Sequence, residues 1–374
     1  MKNFIAGKYI QQTEYKSFSP TLINELAINW KSDKTLELWG NAKRYLGELN
    51  AYSSLIPDVD FFIEMHIIKE ATTSSRIEGT KTEIDEAIQP ESRIAPEKKD
   101  DWQEVRNYIE AMNDSIKNLD KLPLSMRLIK QAHQKLLFGV RGYGKTPGEI
   151  RKSQNWIGGG SLKTAKFIPP SSDNLPDLLS DLEKFWHRQD IPELIRIAIA
   201  HYQFETIHPF LDGNGRTGRL IITLHLVDLG ILSKPTLYLS DFFERKREEY
   251  FDALEDARKK NDLESWVQFF LDGVIQTAKK GKRTFDNIIE LRKEYDEKIL
   301  TLGKRAKLAQ RLLTKLYSNP VISPREAESF LGITPTPANT LLKAMEEIRM
   351  LKEISGQERN RIYILNDYIQ LFKN

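Results

Sequence analysis

The sequence predicts an all-α protein with one β-hairpin projecting from a helical core and a helix–helix–hairpin module at its C-terminal end. Three observations carry that prediction. Apolar residues recur at helical spacing along most of the 374 residues. Strand-like alternation is sparse, and glycines gather in one stretch between two helical runs, where a helix cannot continue.

Residues 1–100 read as an N-terminal helical region. Asp58 is placed to cap a helix over residues 59–78, whose Phe62, Met65, Ile68 and Ala71 supply one apolar face. Gly79 stands where a left-handed residue ends a helix. Residues 101–280 form the second region, with helical patterns at 101–118, 122–138, 174–188, 192–207 and 215–229. Between the second and third of these lie residues 142–148 and 155–160, rich in glycine, then residues 163–168 and Pro169-Pro170. This segment reads as a short β-hairpin. Residues 281–374 begin with a charged linker helix near 283–300. Ser323-Pro324-Arg325-Glu326 is a capping box with proline at the first helical position, and a second helix is expected from Thr336-Pro337 to Met350. A Ser355-Gly356 turn separates residues 351–354 from the alternating residues 361–365. Helix, helix, hairpin in this order resembles a winged helix.

Composition narrows the function classes. A net charge of +3 is too small to mark a nucleic-acid binder by itself. The absence of cysteine excludes disulfides, thiolate metal sites and cysteine nucleophiles. The first residues contain no apolar signal-peptide core and no apolar run approaches the ~18 residues of a membrane span. A cytoplasmic location and no membrane partner are the expectation.

The chemistry concentrates in His208-Pro209-Phe210-Leu211-Asp212-Gly213-Asn214-Gly215-Arg216-Thr217-Gly218-Arg219, between two strongly apolar helices. Gly213-Asn214-Gly215 lets backbone N–H groups converge at a helix N-terminus, where the dipole favours an anion. Arg216 and Arg219, three apart on that helix, can address one phosphate chain bidentately. Asp212 offers a hard carboxylate suited to Mg²⁺. His208 can reach the nest from the preceding helix, and imidazole is the usual general base for a hydroxyl. Taken singly, each has an ordinary reading as a surface histidine, a turn or a solvated arginine. Their conjunction favours a phosphate site.

This string resembles the signature of Fic-domain proteins, HPFx[D/E]GNGRxxR, without a departure, and the resemblance extends over about residues 100–260. It implies a helical core with a β-hairpin flap, and transfer of AMP from ATP to a Ser, Thr or Tyr hydroxyl of a protein. It further implies that His208 deprotonates the hydroxyl, that Asp212 holds Mg²⁺, that Asn214 and the nest bind phosphate oxygens, and that Arg216 and Arg219 hold the outer phosphates. Phe210 is then a core anchor, and Thr217 and Gly218 complete the ATP-binding helix start. A related branch that acts as a kinase carries Lys where this chain has Gly215, so glycine favours AMP transfer.

Flanking residues extend the resemblance. Thr164-Ala165-Lys166-Phe167 looks like the second flap strand, on which the backbone of a target segment adds as a strand. A plain hairpin would have the same composition. Arg151, Gln154, Asn155 and Trp156 resemble the run that leads into the flap. Tyr250 resembles the tyrosine of the adenine pocket, with a core or surface tyrosine as the alternative. Where relatives can carry asparagine near the base, this chain has Arg258, which leaves base recognition open. Ser74-Ser75-Arg76-Ile77-Glu78-Gly79 resembles the family's inhibitory motif, (S/T)xxxE(G/N). It implies that Glu78 occupies Arg219 with help from Ser74, so that ATP binds unproductively. In some relatives the same glutamate also serves removal of AMP.

The target protein is not legible, and self-modification is expected. Residues 305–374 offer DNA or protein docking, and a homodimer is compatible with the second. The competing reading is a nucleotide-sensing transcriptional regulator acting through the winged helix. An intact His208 and Asp212 favour the enzyme, since a sensor needs the nest but not the base.

Overall fold

In this computed structural model, which describes residue 1, residues 4–55 and residues 59–373, the chain opens with an antiparallel hairpin, β1 (Gly7–Gln11) and β2 (Lys16–Pro20). The sequence expectations contain no element here, because only Tyr9, Ile10 and Phe18 mark the strands among polar neighbours. Two long helices follow, α1 (Asp33–Leu55) and α2 (Val59–Ile77), and then one turn, α3 (Ile84–Ala87). Asp58, the expected cap of α2, lies outside the described residues. Gly79 closes α2 at φ +99°, and the Thr80 N–H returns to Ser75 O at 3.2 Å.

The five helical patterns of the middle region form α4 (Lys99–Leu119), α5 (Met126–Leu136), α6 (Leu175–Trp186), α7 (Glu193–Ile207) and α8 (Asn214–Asp228). Then come α9 (Ser240–Arg245), α10 (Arg247–Lys259) and α11 (Leu263–Leu300). The charged helix expected near 283–300 is the second half of α11. The division expected at residue 280 therefore falls inside an unbroken helix, whose buried residues run from Trp266 and Phe270 through Phe285 and Ile288 to Tyr295.

The expected flap hairpin is reduced to a single antiparallel bridge, Ile157–Phe167. Thr164, Ala165 and Lys166 are turn and irregular chain, not strand. Gly158 and Gly159 sit at φ +68° and +77° and bring no side chain to pair across the bridge.

The C-terminal module comprises α12 (Ala306–Ser318), β3 (Val321–Ile322), α13 (Pro324–Leu331), α14 (Pro335–Glu347), β4 (Lys352–Glu353), β5 (Tyr363–Ile364) and α15 (Asn366–Lys373). The Ser323–Glu326 capping box forms in both directions. β3, which the sequence reading lacks, completes an antiparallel sheet of order β3-β5-β4.

Buried apolar side chains from Ile23 to Phe372 join one cluster. At its centre α7 is buried on every face from Leu194 to Ile207, its polar Arg196, His201, Gln203, Glu205 and Thr206 included. The Trp266 indole N–H of α11 donates to Ala198 O of α7 at 2.7 Å. Among the described residues no helix is long and apolar enough to cross a membrane.

Candidate active site

The site grows from the junction of α7 and α8. Pro209 disfavours helical backbone at the residue before it, and His208 leaves α7 at φ +50°. That left-handed conformation costs a non-glycine residue on the order of 1–3 kcal/mol unless its surroundings fix it. They do so through its carbonyl, which accepts from Arg151 Nε at 3.0 Å and Asn155 Nδ2 at 3.3 Å. The Arg151 N–H also donates to Pro209 O at 3.0 Å, and Asn155 Nδ2 to Phe210 O at 2.8 Å. The run that reads as a lead-in to the flap is therefore also the clamp of the loop.

Inside the loop, the Phe210 ring is fully buried and lies flat on His133, with centroids 3.7 Å apart. His133 Nδ1 accepts from the Gly148 N–H at 2.8 Å, which leaves Nε2 to donate to Asp212 O at 2.9 Å. Asn214 accepts from the Phe210 N–H at 2.9 Å and donates to Phe210 O at 2.8 Å. Its side chain closes the loop on itself, instead of facing an open phosphate site. Gly213, at φ +73°, caps α8. The first N–H groups of α8, which a helix leaves without intrahelical acceptors, are the groups that the N-terminus of α8 can offer an anion. Thr217 Oγ1 donates to Gly213 O at 2.8 Å and serves the helix start. Asp212 Oδ1 accepts from the Gly213 N–H at 2.6 Å, and 43% of the side chain stays exposed.

The two arginines part company. Arg216 Nη1 donates to the buried Glu104 Oε2 at 3.0 Å. Arg219 instead lines a cavity of about 660 Å³ together with Glu78, His208, Gly215 and Tyr250. The two guanidinium groups therefore do not face one space, and of the two only Arg219 lines the cavity. Arg219 Nε donates to Ser74 Oγ and its Nη2 to Ser74 O, each at 2.9 Å, and Nη2 to Glu78 Oε1 at 2.7 Å. The end of α2 thereby meets the start of α8. Gly215 permits the approach, because a Cβ there would overlap Glu78 Oε1.

Burial pushes the His208 imidazole down to about 4, helped by the charge of Arg151, so the ring is neutral at neutral pH. Desolvation pulls the Glu78 carboxyl upward, but Arg219 overcomes it and holds the group below the usual carboxylate range. Burial pushes Glu205 up to about 7. Its Oε2 is 4.0 Å from His208 Nδ1, and Gly218 is the residue without a side chain that makes room for it.

Tyr250 is buried yet reaches the cavity. Its hydroxyl is 2.9 Å from His201 Nε2, and its ring stacks on Phe243 at 4.4 Å. Of the flap residues, Lys166 and Phe167 line the cavity and Thr164 and Ala165 do not. Thr164 Oγ1 accepts instead from the Gly160 and Ser161 N–H groups at 3.1 Å. The Arg258 guanidinium lies 4.3 Å over the Phe167 ring.

Three buried partners of the site, Glu205, Glu104 and His133, are missing from the sequence reading. Glu205 left a usable signal, since it precedes His208 by one helical turn. Glu104 and His133 reach the loop from α4 and α5, and nothing local marks them.

The Fic/DOC family N-terminal model matches residues 36–117, and the Fic/DOC family model matches residues 123–226. A probable protein adenylyltransferase of Aquifex aeolicus is 26% identical over 211 residues, covering 55% of this chain and 59% of that protein. The protein adenylyltransferase Fic of Drosophila melanogaster is 29% identical over 162 residues, covering 42% of this chain and 30% of that protein. The chain thus spans less than two thirds of the length of these relatives. Among solved structures, a Fic family protein from Desulfovibrio desulfuricans superimposes with a TM-score of 0.57 at 22% identity, covering 90% of this chain and 96% of its own. A Fic domain containing signaling protein from Bacteroides thetaiotaomicron does so with a TM-score of 0.54 at 16% identity, covering 66% and 97%. With both family models matched in tandem around an unbroken HPFLDGNGRTGR loop, residues 36–226 carry the N-terminal region and the Fic domain of the Fic/DOC family.

Proposed function

We propose that this protein is a protein adenylyltransferase, moving AMP from ATP to a Ser, Thr or Tyr hydroxyl of a protein. The carrying observation is a neutral His208 and the N-terminus of α8 sharing one cavity with Arg219. His208 accepts the proton of the target hydroxyl, whose oxygen attacks the α-phosphorus of ATP as pyrophosphate departs. The first N–H groups of α8 hold phosphate oxygens throughout the step. Tyr250 borders the cavity on the side assigned to the adenine. Arg216, fastened to Glu104, supports the loop from behind.

Asp212 fits Mg²⁺. It is a half-exposed carboxylate beside the nest, and Mg²⁺ commonly takes one or two carboxylates plus substrate phosphates and water. Among the described residues no group of three or more acidic, His or Cys side chains gathers to hold a metal without substrate. When bound, the ion would neutralise phosphate charge.

In the same reading Glu78 is a brake, closed here by its ion pair to Arg219 with Ser74 as second partner. An arginine so engaged is withheld from the γ-phosphate. Release of Glu78 therefore switches transfer on, and removal of AMP by the same glutamate is the reverse use of the site. Incubation of wild type and Glu78→Gly with α-labelled ATP tests this directly. Strong self-labelling is expected only in the variant, and its absence from both would end the adenylyltransferase reading.

In this reading residues 1–100 carry the brake, 101–280 the transfer site, and 281–374 a winged helix for docking in the cytoplasm, with α11 crossing the second division unbroken. The order α12, β3, α13, α14, β4, β5 supports the winged-helix reading. Thr336, Thr340 and Lys343 lie exposed along α14, beside an exposed Glu347. Duplex binding at low salt would favour a DNA-docking regulator. Self-association without duplex binding would favour a homodimer.

A further inference from the structure

The N-terminal hairpin does more than precede the core. Hydrogen bonds flank its ladder at Gln12 N–H to Tyr15 O, 2.8 Å, and at Thr21 N–H to Ala6 O, 2.9 Å. With Tyr9 opposite Phe18 in the register, the bonded positions of β2 alternate through Tyr15, Ser17, Ser19 and Thr21. Phe18 accordingly turns its N–H away from β1. That N–H donates to Ile168 O at 2.9 Å, next to the Ile157–Phe167 bridge. β2 is therefore seated between β1 and the outer edge of segment 157–168.

Side chains fasten the same contact. Ala6, Phe18 and Phe167 form a small apolar cluster of their own, with Phe4 and Ile157 packed on it. The Phe18 and Phe167 rings are 5.9 Å apart. Two bonds away from this segment anchor the hairpin to the core: Ala6 N–H to Asn261 Oδ1 at 2.8 Å, and Gln203 Nε2 to Thr21 O at 3.0 Å. Tyr9, on the partner strand, lines the cavity that holds His208.

We propose that the flap edge is an interaction surface for one extended, hydroxyl-bearing backbone segment, and that this chain's own β2 is its resting occupant. The proposal rests on the reading of residues 157–168 as the target-binding flap. An edge carbonyl satisfied by one strand is not free to register a second. An incoming target strand must then exchange with β2, and the chain carries a restraint on target docking that is separate from the Glu78–Arg219 pair. The segment that fits is short, extended and apolar at the position of Phe18, with small hydroxyl residues on either side.

The test uses the full chain and a fluorescein-labelled peptide copying residues 14–22. Phe18→Pro removes the donor to Ile168 while leaving the bonded positions Ser17 and Ser19 in place. Asn261→Gly loosens the hairpin without touching either strand, and glycine suits the φ of +58° at that position. Fluorescence anisotropy reads docking without any chemistry. Peptide binding should tighten about tenfold in Phe18→Pro and less in Asn261→Gly, with ATP binding equal in all forms. In a Glu78→Gly background, the same substitutions should raise labelling of the peptide from α-labelled ATP in the same order. Equal or weaker peptide binding in Asn261→Gly and in a cooperatively folded Phe18→Pro would overturn the proposal. If Phe18→Pro does not fold, Asn261→Gly alone decides. Tighter binding with no labelling anywhere would uphold the docking edge and remove the adenylyltransferase reading instead.

Discussion

The loop of residues 208–219 and the flap of residues 157–168 border the same cavity, yet they are built in opposite ways. The loop is fixed by short bonds among buried groups: Asn214 to Phe210, Phe210 on His133, and Arg151 and Asn155 on the carbonyls of His208 and Phe210. The flap has one bridge of its own, and its outer edge leans on a hairpin from the start of the chain. On the proposed function, the contrast assigns rigidity to the part that would hold phosphates and a base in fixed geometry. The part that would accept a second chain is held by few bonds of its own. Such segments open locally at low cost, as target docking needs.

Substitutions on the two sides should separate these roles. The largest effect is expected at His208, where His208→Ala in the Glu78→Gly background should lower AMP transfer by about 10²–10⁴-fold, the usual worth of a general base. Thermal unfolding measured beside it should barely move. If transfer survives, the loop is a binding site only. Next comes Glu78→Gly alone, which should raise self-labelling and tighten ATP binding about tenfold or more, because a charge-assisted pair to Arg219 is lost. Isothermal titration with a non-hydrolysable ATP analogue checks the binding half.

Smaller still is Asn155→Ala. Two loop carbonyls each lose one of two donors, His208 O keeping Arg151 and Phe210 O keeping Asn214, so the protein should lose about 0.5–1.5 kcal/mol in denaturant unfolding. Peptide docking at the flap should stay unchanged, and a parallel loss would mean that loop and flap are one mechanical unit.

The broadest effect is that of pH. Burial depresses His66, His201 and His225 to about 3, and His133 and His208 to about 4. Between those values and the unfolded value near 6.5, the unfolded chain binds more protons, so stability must fall as pH falls through that window. The lowered Glu78 adds its loss in the same direction at lower pH. Melting temperatures should fall from about pH 6.5 to 4.5, opposed in part by Glu205, whose raised carboxyl takes up its proton first in the folded state, and a flat profile would contradict the burial of these rings.

The sequence by itself determined the helices of the core and the transfer loop. Helical periodicity, the Gly79 and Gly213 ends and the Ser323 capping box are local rules that act over a turn or two of chain. The HPFLDGNGRTGR string likewise packs its base, nest and arginines into adjacent residues. The pairing of Glu78 with Arg219, 141 positions apart, was legible only through the resemblance of residues 74–79 to the family's inhibitory motif. Tertiary structure alone decided what depends on distant partners. It turned Arg216 to Glu104, set Asn214 to closing its own loop, ran α11 through the expected boundary, and laid β2 against the flap. Where Arg216 meets Glu104 and where β2 meets the flap, segments far apart in the chain are brought together by the core, which satisfies their polar groups. Spacing along the chain holds no record of such a meeting.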